Sequence, residues 1–159
     1  MNDDSPQAYF RLILLTVTSQ AFGAAGYALE DDPLQQAGGL FRFRADLPAD
    51  LSGFIEFQLL AYAQTEFAPP QPSRFRVTLT RTDQLSPVLP SGHPRFARRD
   101  LAALVVEDFG VAVLPSANYW WAWKEVAELG RALAEAGHLV IGFGIPWLSG
   151  ELNPPEHDG

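Results

Sequence analysis

The chain has 159 residues, with 11 basic against 19 acidic side chains and a formal net charge of −8. That length suits one domain with its own core, and 47% hydrophobic with 19% charged residues is a globular composition rather than a disordered one. The negative balance argues against non-specific nucleic-acid binding, which needs many phosphates neutralised, and the lack of cysteine excludes disulfides, thiolate metal sites and cysteine nucleophiles.

Residues 1–8 are polar and lack the basic start of a secretory signal, so an unstructured lead into a cytoplasmic domain is expected. No apolar run reaches membrane-spanning length, and no membrane partner is expected. Residues 9–18 are β-branched and apolar on both alternating faces, the pattern of a covered strand. Residues 19–39 carry Gly23, Gly26, Gly38, Gly39 and the acidic run Glu30-Asp31-Asp32. A loop of that length is uncommon in a compact domain, so it is either functional or holds a hidden element; a short helical turn is expected at 33–36.

Three strands with clean alternation follow. Residues 40–44 place Phe41 and Phe43 on one face and Arg42 and Arg44 on the other. Residues 54–64 point Ile55, Phe57 and Leu59 inward, with Glu56 and Gln58 outward. Residues 74–82 point Phe75, Val77 and Leu79 inward, with Arg74, Arg76, Thr78 and Thr80 outward. Such period-two patterning marks antiparallel strands with one wet face. A proline-rich connector spans 85–94, and Asp100 then stands where a cap would start a short helix through Leu101, Leu104, Val105 and Phe109, although the same letters fit a strand.

Residues 111–147 have the form strand, helix, strand. Apolar runs at 111–114 and 139–145 flank a helix expected over 118–136, with Asn118 as cap, Gly137 as stop, and Tyr119, Trp123, Val126, Gly130 and Leu133 as its apolar stripe. Such a unit implies parallel strands joined by a right-handed crossover. The fold class is therefore α+β: a mostly antiparallel sheet of four to six strands, one long C-terminal helix packed on a face, and a closing strand–helix–strand unit. Residues 9–148 form its single domain, and 149–159 a flexible tail.

Two groups of residues are candidates for an interaction surface. Arg42, Arg44, Arg74 and Arg76 share a face with only Glu56 to oppose them. A cross-strand ionic ladder explains them at no more than about 1 kcal/mol per pair; an anion- or acidic-partner-binding surface is the functional alternative. In the aromatic run, Trp123 belongs to the buried stripe, Trp120 borders it, and Trp121 faces the polar side of the helix, where a large exposed ring would anchor a partner. Trp147 is expected to pack back over the same region.

Catalytic groups are sparse. His93, His138 and His157 are scattered, and no His-rich metal spacing, P-loop, Gly-x-Ser-x-Gly elbow or dinucleotide fingerprint occurs. No catalytic residue, metal or cofactor is expected. The function this supports is a non-catalytic interaction module, an adaptor or a subunit of a larger assembly, whose partner is another protein or a second copy of the chain. The alternative is a small carboxylate- or metal-dependent hydrolase using Glu30, Asp31 and Asp32 or the pair Asp46 and Glu56.

Overall fold

The computed structural model describes residues 5–61 and 72–156. The chain is α+β, with a six-stranded antiparallel sheet and helices against one face. Helix α1 (Pro6–Ala24) is followed by a two-residue strand β1 (Ala28–Leu29) and a short helix α2 (Pro33–Ala37). The long strands β2 (Leu40–Leu47), β3 (Leu51–Leu60) and β4 (Ser73–Thr82) form a meander, and β5 (Ala97–Asp100) extends it beyond β4.

Residues 6–24 are helical, which corrects both the strand at 9–18 and the unstructured lead through residue 8. Ser5 accepts a hydrogen bond from the Ala8 N–H at 3.1 Å, and Pro6 occupies the first turn, where its missing N–H costs nothing. Phe10, Leu14, Thr18 and Phe22, spaced by four, make the buried stripe. The helix is apolar on its outer side as well, through Tyr9, Leu12 and Val17, so its 3.6-residue period is masked. Residues 1–4 lie outside the described residues.

The sheet follows its alternation. Phe41 pairs with Phe57 and Phe57 with Val77, while Phe43 pairs with Ile55 and Ile55 with Leu79. These side chains, with Phe75, meet Phe10 and Phe22 of α1; the Phe10 ring lies 5.1 Å from Phe41 and 5.4 Å from Phe75, and Phe22 lies 5.0 Å from Phe43. Arg42, Arg44, Glu56, Arg74 and Arg76 occupy the opposite face, as the pattern requires. That face is not wet throughout, because Phe54, Thr80 and Thr82 are fully buried on it. Of the strand expected over 54–64, residues 62–64 lie outside the described residues, and β3 starts earlier, at Leu51.

After β5, Asp100 precedes a helical stretch as expected: α3 (Leu101–Ala103) runs directly into a π turn at Leu104–Asp108. The Asp100 carboxylate does not cap it, accepting instead from the Thr78 hydroxyl at 3.1 Å.

The closing strand–helix–strand unit is not present. Residues 111–120 are irregular, and β6 (Trp121–Trp123) lies antiparallel on β4, with Phe75 opposite Trp121 and Ser73 opposite Trp123. Helix α4 (Val126–Leu139) starts eight residues later than residue 118, at a capping box formed by Glu125 and Glu128, and Val126 is 45% exposed. The helix does not stop at Gly137. It continues through a π turn at Val140–Gly144 into α5 (Ile145–Ser149) and ends at Gly150 with φ 83°. The expected second strand is thus helical, and every strand pairing among the described residues is antiparallel. Gly137 lies where α4 passes α1: a Cβ on it would sit 3.4 Å from Thr18 Cγ2.

The run Val126–Ser149 is long and apolar enough by length and composition to cross a membrane. One such helix is weak evidence, because core helices satisfy the same criterion, and Leu129, Leu133, Ala136, Val140 and Leu148 are buried in the core.

Phe57 sits between Phe43, Phe22 and Phe75 with no exposed surface. Phe57→Ala is expected to destabilise the fold by about 3–5 kcal/mol, measured as a lower urea midpoint at constant m.

Candidate functional site

The outer face of the sheet brings five of the seven expected surface residues, Arg42, Arg44, Arg74, Arg76 and Trp120, onto one side, but they are not alike. Arg42 lies between Glu56, at 3.1 Å, and Glu30, at 3.5 Å. The side chains of Arg42 and Glu56 are only 11% and 6% exposed, so this is a largely buried pair held by Nε and Nη2 donors to one carboxylate oxygen. Arg44 bridges Asp46 at 3.0 Å and the Ser52 hydroxyl at 3.1 Å. Arg42 is therefore structural, whereas the Arg44 pair is solvent-exposed, its Asp46 partner being 85% exposed.

Of the acidic run, Glu30 is the outer partner of Arg42. Asp32 caps α2, accepting from the Gln35 N–H at 3.1 Å. Among the described residues no three His, Asp or Glu side chains converge as a metal site.

Arg74 and Arg76 differ. Both are exposed, and their guanidinium carbons lie 4.7 and 5.0 Å from the centre of the Trp120 ring. Strand alternation explains the arrangement. Trp121 stands opposite Phe75 and shares its inward face, so Trp120, one residue earlier, is delivered to the side of Arg74 and Arg76. Trp121 itself is only 2% exposed, which corrects the expectation that it projects from a helix. It stacks on Phe75 at 5.4 Å and 10°, and its Nε1 donates to Glu135 Oε1 at 2.9 Å. Trp147 does not join Trp120. It lies at the end of the chain's last helix, where Arg81 approaches its ring at 5.7 Å and donates to the carbonyls of Trp147 and Leu148 at 3.0 and 3.3 Å. Burial, and then the charge of Arg95, lower the Arg81 guanidinium below its usual value.

The connection between β4 and β5 is a second surface. Antiparallel neighbours can be joined by two to five residues, yet this connection spans 83–96. It is extensively hydrogen-bonded. Ser91 Oγ donates to Asp83 at 2.6 Å, Ser86 Oγ accepts from the Val88 N–H, Arg98 donates to the Pro87 carbonyl at 3.3 Å, and Arg81 Nε donates to the Arg95 carbonyl at 2.7 Å. On this frame Leu85 is 88% exposed, Val88 69% and Leu89 44%. The sequence marked the segment only as a proline-rich connector. Its one available signal was three large apolar residues among prolines and serines, with no periodic element to bury them.

Ser91, His93 and Asp83 meet in this loop, but their wiring is that of a turn. The serine hydroxyl is bonded to the aspartate rather than to the imidazole, and His93 Nδ1 accepts from the Arg95 N–H at 3.0 Å. A nucleophile needs its base at the hydroxyl. Two larger clefts lie elsewhere: one of about 390 Å³ between α1 and α2, beside Arg11, Gln36 and Phe41, and one of about 340 Å³ between α1 and α4, beside Val17, Phe22 and Ile141. Among the described residues no carboxylate lines either.

No known family, curated protein or solved structure matches the chain.

The buried pair has a measurable signature. Arg42→Met leaves Glu56 without its partner and is expected to cost about 3–5 kcal/mol in urea denaturation, whereas Arg42→Met with Glu56→Leu recovers most of that loss. The loop has one too. The Ser91 hydrogen bond, foremost, holds the Asp83 carboxyl below its usual value. A depressed folded-state carboxylate stabilises above its unfolded value of about 3.9, and that contribution fades as pH falls through the folded value. Carbonyl NMR titration should therefore show Asp83 protonating at lower pH than a free aspartate, and Ser91→Ala should shift that transition upward.

Proposed function

We propose that this chain is a cytoplasmic, non-catalytic interaction module that docks the 83–96 loop onto a partner protein. The observation that carries the proposal is the combination of internal hydrogen bonding and exposure in that loop. Leu85, Val88 and Leu89 are left in water by a connection whose backbone and polar side chains are tied to one another and to Arg81 and Arg98. A protruding apolar segment fixed before binding loses little conformational entropy on docking, which is how a small contact becomes a useful one. Exposed side chains on a loop that the core does not need are the usual carriers of recognition. The partner surface that fits is a concave apolar pocket.

The experiment is a pull-down from native lysate with the intact chain, compared with Leu85→Ser/Val88→Ser. Circular dichroism and the melting temperature should be unchanged, because neither side chain contributes to the core. The co-purifying partner should fall at least about tenfold, as the loss of one central hot spot implies. Equal capture by both forms would remove the loop from the function. Sedimentation of the purified chain tests the second-copy alternative: a concentration-dependent dimer abolished by the same variant would identify the partner as the chain itself.

A further inference from the structure

A separate surface, the platform made by Arg74, Trp120 and Arg76, points to a ligand class of its own. We propose that it binds an extended acidic segment of a partner protein, one that places two carboxylates at alternate positions.

The inference starts from a comparison among the arginines of the sheet. Arg42 and Arg44 meet carboxylates, Arg81 and Arg98 meet backbone carbonyls, and Arg99 makes a two-pronged contact with Asp108 at 2.9 and 3.0 Å. Arg74 and Arg76 alone among these have neither a carboxylate within 4.0 Å nor a hydrogen bond among the described residues. Both guanidinium carbons instead lie within 5.0 Å of the centre of one indole ring. The ring's negative face stabilises each cation, yet it satisfies none of the carboxylate-shaped pairing of which a guanidinium fork is capable. The result is a preorganised pair of donors, fixed by β4 below and Trp120 beside them, on a chain whose net charge is −8.

Spacing decides the ligand. Residues two apart on a strand face are about 6.6 Å apart, because each residue rises about 3.3 Å. An extended peptide repeats its same-side carboxylates at the same pitch. A partner sequence of the form acidic–any–acidic therefore sets one carboxylate against each arginine, and bidentate geometry favours carboxylates over isolated halide-like charges. A single-stranded nucleic acid is the poorer occupant. Its bases need a free aromatic face, the Trp120 ring already holds two guanidiniums, and the acidic remainder of the chain repels a polyanion.

The test uses synthetic peptides on the full chain: Ser-Glu-Ser-Glu-Ser, its adjacent-glutamate isomer, its glutamine analogue, and a thymidine oligonucleotide. The readout is the indole ¹H–¹⁵N signal of Trp120, assigned with Trp120→Phe. The alternating peptide should shift that signal while the Trp121 indole, tied to Glu135, stays in place. Binding should weaken severalfold as the Debye length shrinks from about 10 Å to about 3 Å, and by about fivefold in either Arg74→Gln or Arg76→Gln. An unmoved Trp121 signal in each variant verifies that the fold is kept. No shift with the alternating peptide, equal binding of the glutamine analogue or the adjacent isomer, or tighter binding of the oligonucleotide would each overturn the proposal. None of these outcomes bears on the 83–96 loop, whose role stands or falls on its own variant.

Discussion

Strand β4 is the constraint on which the rest of the molecule depends. Among the described residues it is the only strand with three neighbours, pairing β3 from Arg74 to Thr82 on one side and β6 and β5 in succession on the other. Its inward residues Phe75, Val77 and Leu79 join the core, and its outward residues include Arg74, Arg76, Thr78 and Thr80. Because alternation has a period of two, placing Phe75 against the Phe10 ring also decides that Arg74 and Arg76 face away from α1. Core packing and the surface platform are two consequences of one register.

The same coupling runs through β6. Trp121 opposite Phe75 is stacked and hydrogen-bonded to Glu135, so it is held both by apolar area and by a polar partner. Burying an indole N–H without such a partner would cost a few kcal/mol. Once Trp121 is fixed inward, Trp120 has only the arginine side available. A one-residue slip of β6 would exchange them and dismantle the platform while leaving the composition of the segment unchanged. The platform is thus stabilised indirectly, by a core contact on the other face of the sheet.

How legible each element was in the sequence follows from how pure its periodicity is. Strands β2, β3 and β4 alternate phenylalanine, valine or leucine with arginine, glutamate or threonine, and their faces can be assigned from letters alone. Helix α1 has its stripe at Phe10, Leu14, Thr18 and Phe22, but Leu12, Ile13, Leu15 and Val17 fill the gaps, so strand and helix periods compete and β-branched content favours the wrong one. At the C-terminus, the four aromatics between 119 and 123 look like a helix face only until Glu125 and Glu128 are recognised as the stronger start signal. Residues 139–145 are an apolar run too short for letters to distinguish a strand from a buried helical turn, and the answer came from packing: Gly144 sits against Leu79, where a Cβ would come within 3.1 Å of a leucine methyl carbon. The candidate surfaces were half legible. Arginines on the outer face were assigned correctly, but which of them were already paired depended on Glu30, brought alongside by β1, and no spacing in the sequence links Glu30 to Arg42.

The two surfaces also show why an acidic chain carries arginine where it does. Arg42, Arg81 and Arg99 are each committed to a carboxylate or to helix-end carbonyls that no lysine would meet with the same fixed fork. These contacts tie separate segments: Glu30 and β3 to β2 through Arg42, β4 to the last helix, 66 residues on, through Arg81, and β5 to the π turn that follows it through Arg99. A guanidinium used this way is a structural cross-link, and its charge is spent within the fold. Arg74 and Arg76 make no such tie among the described residues, and replacing them with a neutral residue would remove no polar contact of the core there. Structural need therefore accounts for the paired arginines and, among the described residues, leaves Arg74 and Arg76 beside Trp120 with no such role.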